Sequence, residues 1–364
     1  MSGVFELRLA GTRVRVSACD SLAERVLGEL EQDFAAVKDW GLTLDPQPLE
    51  VVNLRLFGRA RIRAGARATS PRWPLFGTRH FQAYGWGARR EVHYGDFATV
   101  ISRNLPGRRE FEVYAPEVAD LYEQSYLAIL STLGESLDRQ GFHRVHALGF
   151  ARDGENVLAV LPSGGGKSAL ASLLLDRTSD RIFSDESPLL TPGGVMLPFA
   201  TRFSLVPGLA EELRVFQPSN IETSARGRPF RRRQYREKRL FPVSRDRVAA
   251  PGAVTTLLIG RRAQTGSPAR WVECSRAEAA QELARSLVVG VGLAQMTEHL
   301  LRFNELGGLS RIAMSRVKTA WEVASRARCL RFEYSANAFE NFSLLKQPFS
   351  KLELAPSLQA APSS

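Results

Sequence analysis

The stretch Val157-Leu-Ala-Val-Leu-Pro-Ser-Gly164-Gly165-Gly166-Lys167-Ser168 decides how this chain is read. An apolar run enters three glycines and then Lys-Ser. Ala169, Leu170, Leu173 and Leu174 follow at helical spacing to about Arg177. Strand, glycine loop and helix in that order are the context a phosphate-binding P-loop requires. Glycines let backbone N–H groups converge on phosphate oxygens with no Cβ in the way, and the helix N-terminus adds partial positive charge. Lys167 then reaches the β/γ-phosphates, and the Ser168 hydroxyl is a ligand for Mg²⁺. The predicted nucleotide-binding set is Ser163, Gly164, Gly165, Gly166, Lys167, Ser168 and Ala169. Leu161 stands where the full pattern has Gly or Ala, and Pro162 has no N–H, so donors are expected only from Ser163 onward. The plain alternative is a glycine-rich turn with an incidental Lys-Ser.

Seventeen residues past Ser168 the chain reads Ile182-Phe183-Ser184-Asp185-Glu186. A carboxylate at the C-terminal end of an apolar strand suits a Walker-B-type role, holding Mg²⁺ or its water shell. Two adjacent carboxylates repel each other, and with a metal present they are tuned apart. One is then suited to accept the proton of an attacking hydroxyl while the other organises metal. Alternatively, Asp185-Glu186 only opens a turn before Pro188.

Around this centre the chain divides near Gln140. The first part opens with a strand and then a helix started by Ser21-x-x-Glu24, with Leu22, Val26, Leu30 and Phe34 on one face. Period-two runs between Val51 and Val113 predict an antiparallel sheet. Pro116 is expected at N1 of a helix running to about Leu137. In the second part, His143–Ala151 and Val157–Leu161 read as two strands turning at Asp153-Gly154. Further strands are expected at Arg181–Ser184, Val254–Ile259 and Cys329–Tyr334. Helices are expected at Leu209–Val215, Ser275–Leu287, Glu298–Leu306 and Arg311–Ala327.

Composition limits the function classes. Among the 364 residues, 49 Lys and Arg face 38 Asp and Glu, a net charge of +11. Three cysteines are too few and too scattered for a disulfide scaffold or a zinc cluster. No apolar run is long enough to span a membrane, and the N-terminus shows no signal-peptide pattern, so a cytoplasmic location is expected. The charge is concentrated. Arg226–Arg247 carries ten basic and two acidic residues, leaving 39 basic against 36 acidic elsewhere. Three readings of that segment stand: a solvated loop, an arm gripping an acidic peptide or the transferring phosphoryl group, or a nucleic-acid contact with Phe230, Tyr235 and Phe241 stacking on bases. Arg202 is a further candidate phosphate contact.

The order of these motifs resembles the HPr kinase/phosphorylase superfamily and its relatives, including the kinases encoded with lasso-peptide precursors. The resemblance covers about residues 140–200: His146-Ala147-Leu148-Gly149, Val157–Leu161, Ser163–Ser168 and Ser184-Asp185-Glu186, with Cys329–Tyr334 like the family's late strand. Asp185-Glu186 stands where that family has two Asp, and Leu161-Pro162 where it has Gly-Asp or Gly-Pro. The resemblance implies an α/β P-loop kinase domain of the HPr kinase type with a mixed sheet, at residues 141–350. An α+β N-terminal domain (1–140) would precede it and a disordered tail (351–364) follow.

It also implies Mg-ATP-dependent transfer of phosphate to a hydroxyl, as of a Ser in a peptide or protein. Lys167 and Ser168 would hold phosphate and Mg²⁺, Asp185 would be base or metal organiser with Glu186 beside it, and His146 would support the cluster through a carboxylate. The expected partner is an acidic peptide or protein acceptor near Arg226–Arg247. An NTPase switch linked to nucleic acid, or a nucleotide-binding module with decayed kinase activity, is the alternative. Oligomeric state, including a homo-oligomer, stays open.

Overall fold

A computed structural model of the chain describes residues 3–9, 11–38, 50–61, 73–74, 80–85, 88–205, 222–223, 238–288, 299, 306–349 and 352. The expected helix at Leu209–Val215, residues 226–237 of the basic segment, nearly all of the expected helix at Glu298–Leu306 and all but residue 352 of the expected tail lie outside them. The described residues form a mixed α/β protein with seven α-helices. They group into two compact units. One is Met1–Gln140 with Thr201–Val243 and Ala294–Leu306; the other is Gly141–Ala200 with Ser244–Leu293 and Gly307–Ser364.

The first unit is built on eight strands: β1 (Val4–Leu9), β2 (Thr12–Ala18), β3 (Glu50–Phe57), β4 (Trp73–Pro74), β5 (His80–Tyr84), β6 (Arg89–Tyr94), β7 (Ala98–Leu105) and β8 (Arg108–Tyr114). Their order in the sheet is β1-β2-β3-β8-β7-β6-β5-β4. The expected antiparallel pairing holds from β4 to β8 and is corrected only at β3, which lies between β2 and β8 and runs parallel to both. Alternate residues such as Phe5, Leu7, Val14, Val16, Val52 and Leu54 are buried, as a sheet with one covered face requires. Helices α1 (Ser21–Asp33) and α3 (Val118–Arg139) pack together and on this sheet, and α2 (Ala35–Lys38) is a single short turn.

Asp20, not Ser21, is the N-cap of α1; its carboxylate accepts from Ala23 N–H at 2.9 Å and from Gly58 N–H at 2.7 Å. The second contact crosses 38 residues of chain, which explains why the local capping pattern misplaced the helix start by one residue. Likewise α3 takes Glu117 as its N-cap, so Pro116 precedes the helix.

Two stretches beyond Gln140 join this unit. Strands β15 (Arg202–Leu205), β16 (Glu222–Thr223) and β17 (Lys238–Pro242) form a small antiparallel sheet, with Phe203 stacked on Phe241 at 5.5 Å. The sequence reading kept all of 141–350 together. Arg202 shows the physical reason for the difference: its guanidinium lies over the Tyr126 ring (3.9 Å) and the Tyr122 ring (4.4 Å) and 3.6 Å from Asp33. Those three residues all belong to α1 and α3. This occupied position also removes Arg202 as a candidate phosphate contact.

The second unit has a six-stranded sheet of order β12-β10-β11-β19-β21-β20. Its members are β10 (Leu148–Arg152), β11 (Glu155–Val160), β12 (Arg181–Ser184), β19 (Thr256–Arg262), β20 (Arg270–Glu273) and β21 (Arg328–Tyr334). Strands β11, β19 and β21 are parallel, while β10 is antiparallel to both β11 and β12. Thus β12 runs in the same direction as β11 with one strand between them, and both end at the same edge. The Asp153-Gly154 turn is as expected, with φ of 48° and 82°, the paired left-handed conformation of a two-residue hairpin.

A four-stranded antiparallel sheet contains β9 (His143–Arg144), β13 (Leu189–Leu190), β14 (Val195–Leu197) and β18 (Gly252–Ala253). Helix α5 (Arg276–Val288) buries Ala279, Ala280, Leu283 and Leu287 against Leu158, Val160, Leu257 and Ile259. Helix α6 (Leu306–Arg326) adds Ala320, Val323 and Ala324 to the same core. Helices α4 (Lys167–Arg177) and α7 (Ala338–Leu345) pack against each other. Burying each large apolar side chain contributes about 1.5–3 kcal/mol.

Candidate active site

The sharp bend after β11 follows from glycine. Gly164 and Gly166 have φ of 77° and 85°, a region closed to most L-residues, and Gly166 caps α4 with no side-chain hydrogen bond of its own. Between them Gly165 donates its N–H to the Pro162 carbonyl at 2.9 Å, folding the loop into a tight turn. That N–H is spent inside the loop, although the sequence reading counted it among the phosphate donors. Pro162, Ser163, Gly164 and Gly166 are exposed.

Lys167 is buried at the first turn of α4, and its ammonium donates to the carbonyls of Leu161 (2.8 Å) and Pro162 (3.2 Å). Burial pushes it down to about 8, against the upward pull of the Glu186 and Asp185 charges. The next residue, Ser168, donates its hydroxyl to Asp185 Oδ2 at 2.9 Å. Asp185 continues β12 and is buried at 5% exposure. Burial and then the Glu186 charge push its carboxyl up to about 7, with the Ser168 hydrogen bond opposing them. Glu186 is exposed, and its backbone is held by its N–H donating to Ser184 Oγ at 3.3 Å. The acidic pair therefore splits into one buried carboxyl facing the loop and one in solvent.

His146 is not inside a strand. The expected strand His143–Ala151 is broken into β9 and β10, because Ala147 N–H turns to the carbonyls of Val145 (2.9 Å) and Glu186 (3.2 Å). His146 sits in that break, next to the Glu186 backbone carbonyl and not on a carboxylate as expected. Burial and then the Lys167 charge push the imidazole down to about 4, so it is neutral at pH 7. Its Nδ1 is buried with no hydrogen-bond partner. Ser286 of α5 holds the local backbone by donating to the His146 carbonyl at 2.9 Å.

These residues fit a phosphate chain with Mg²⁺. The first turn of α4 offers backbone donors, Lys167 supplies the cation, and the Ser168 hydroxyl and Asp185 carboxyl supply hard oxygens of the kind Mg²⁺ prefers. Among the described residues no three His, Cys, Asp or Glu gather into a metal-holding group. A Mg²⁺ at Ser168 and Asp185 would therefore share its coordination with phosphate oxygens and water.

Three residues of the basic segment have structural contacts. Leu240 and Phe241 are buried in β17, and Arg247 donates to the carbonyls of Thr178 (2.8 Å) and Asp180 (2.9 Å). The sequence reading missed Gly260 and Tyr334. A Cβ on Gly260 would lie 2.8 Å from Leu161 Cγ, and one on Gly165 would lie 3.2 Å from the Tyr334 hydroxyl. Gly260 lies two residues inside the end of β19 and Tyr334 ends β21; only the sheet register brings them under the loop, and no local pattern marks them.

No protein-family model matches the chain, and no curated protein matches it either.

Proposed function

We propose that this protein is a Mg-ATP-dependent kinase of the HPr kinase type that phosphorylates a hydroxyl, most simply a Ser of a peptide or protein. One observation carries the reading: Ser168 at the end of the glycine loop donates to Asp185 at the end of β12, 17 residues away. A P-loop and a carboxyl at the carboxyl edge of a second strand running the same way are the two parts that phosphoryl transfer needs together.

The first turn of α4 and Lys167 hold the phosphate chain and orient the γ-phosphoryl group. Mg²⁺, when bound at Ser168 and Asp185, offsets the charge of the phosphate oxygens. Asp185 orients the acceptor hydroxyl and takes its proton as the new O–P bond forms and ADP leaves. Neutral His146 limits the positive charge beside Lys167 and fixes the backbone bearing Glu186. Most of the catalysis is positioning and electrostatics.

The test is transfer of labelled γ-phosphate from ATP to candidate acceptors by the wild type, Lys167→Ala and Asp185→Asn. Both variants should lose transfer, and Asp185→Asn should still bind ATP. Transfer that survives Asp185→Asn at the wild-type rate removes the assignment. Release of phosphate to water alone, stimulated by RNA or DNA, would favour an NTPase switch.

A further inference from the structure

The three parallel strands β11, β19 and β21 end at the edge where the loop sits, and ligands of such sheets lie beyond the carboxyl ends of the strands. Register places Ile259 beside both Val160 and Arg331, and Arg262 beside Tyr334. Alternation then sorts the side chains. Leu257 and Ile259 face the core built by α5, and Arg261 on the same face pairs with Glu278 of α5 at 2.8 Å. Gly260 and Arg262 consequently face the other way. On that face Leu161 packs over Gly260, and the Tyr334 hydroxyl lies under Gly165.

Arg261, Arg331 and Arg270 each have a carboxylate partner. Arg261 and Arg331 share Glu278, and Arg270 pairs with Glu333 at 2.6 Å. Arg262 is exposed, and among the described residues no carboxylate pairs with it. Burial raises the Tyr334 hydroxyl above its ordinary range and the Arg262 charge opposes that rise, a second sign that the two groups are neighbours. An Arg left unneutralised beside an anion-binding loop has one evident use, since guanidinium presents several donors in a planar fork suited to phosphate oxygens.

We propose that Arg262, positioned by Tyr334, is a second cation of the loop and binds the phosphate chain of the nucleotide, without reading its base. This rests on the loop being a nucleotide-phosphate site. Arg262 adds to Lys167 at a different strand end, so the phosphate chain is held from two sides.

The experiment measures binding of ATP, GTP and inorganic tripolyphosphate, each with Mg²⁺, by calorimetry on the full chain. It compares the wild type, Arg262→Ala, Arg262→Lys, Tyr334→Phe and Lys167→Ala, with circular dichroism to check each fold. Arg262→Ala should weaken all three ligands by the same factor, roughly tenfold for loss of a charge-assisted contact. Arg262→Lys should recover part of that loss, and Tyr334→Phe should weaken all three ligands less than Arg262→Ala does. If Arg262→Ala is unchanged while Lys167→Ala loses binding, Arg262 has no such role and the loop reading stands. A loss confined to ATP or to GTP, with tripolyphosphate unaffected, means contact with the base and overturns the proposal. If Lys167→Ala binds all three like the wild type, or the wild type binds none, the loop reading itself fails. Should Arg262→Ala misfold, Arg262→Gln replaces it, keeping the aliphatic stem and polarity without charge.

Discussion

Lys167 Nζ donates to the carbonyl oxygen of Leu161 at 2.8 Å, so the loop's cation rests on the strand end from which the loop departs. With its second bond to Pro162, the ammonium holds both residues that depart from the full P-loop pattern. A bound phosphate chain must compete with these carbonyls. Lys167→Ala is expected to lower ATP affinity about 10- to 100-fold, the range for losing charge-assisted hydrogen bonds. Calorimetric titration checks this, and an unchanged affinity would mean that Lys167 is only a structural clasp and that the loop is not a nucleotide-phosphate site.

Gly165 and Gly166 should respond to Ala for different reasons. A Cβ on Gly165 meets the Pro162 carbonyl at 2.9 Å and Leu161 Cβ at 3.2 Å, and backbone there cannot step aside cheaply. Gly165→Ala should cost about 1–3 kcal/mol, as overpacking does, and should disturb ATP binding. Gly166 has open space around it, and its φ of 85° makes Ala cost about 1–2 kcal/mol through backbone strain alone. Urea unfolding and ATP titration of both variants separate the two causes.

Asp33 makes stability depend on pH. Burial pushes its carboxyl up to about 7, with Arg202 opposing and Glu29 adding to the rise. Its folded value lies above the ordinary 3.8, so the folded state binds the proton more tightly. That stabilisation is fully present below about pH 4 and is lost as pH rises through about 7. Tyr122 donates to the same carboxyl and stays its partner in either form. Asp33→Asn removes the titration, so the Tm of the variant relative to the wild type should increase between pH 5 and 8.5. A pH-independent difference would show that Asp33 titrates at its ordinary value.

Away from the loop, Arg152 Nε reaches both oxygens of Asp180 at 3.0 Å, and its guanidinium also donates to the Leu345 carbonyl. Both side chains are nearly buried, at 9% and 4% exposure. Arg152→Ala leaves a buried carboxylate unpaired and should cost about 3–5 kcal/mol. Asp180→Asn should cost less, and the double variant should recover part of the Arg152→Ala loss. Urea midpoints of the three variants test this; strict additivity would show that the pair is not coupled.

The sequence made local features legible and long-range ones not. The Asp153-Gly154 hairpin, the glycine bend and the helices near 276–288 and 306–326 were readable because a few neighbouring residues set their dihedrals and apolar period. Asp20 was missed as the cap of α1 because Gly58, 38 residues away, shares its carboxylate. Parallel pairing of β3 was missed because period-two runs look alike whichever way the neighbour runs. Within Arg226–Arg247 the sequence also did not show that Arg247, one of the ten basic residues, is taken up by the carbonyls of Thr178 and Asp180.

By itself the sequence determined the loop: which residues bend, where the cation stands and where the helix starts. Those are short-range consequences of glycine's missing Cβ and of helix periodicity. Only the tertiary structure decided that Asp185 faces Ser168 while Glu186 faces solvent, and that Gly260 and Tyr334 lie beneath the loop. These meetings depend on the order β12-β10-β11-β19-β21 and its register. Hydrogen bonding between strands sets that order, and no window of neighbouring residues contains it.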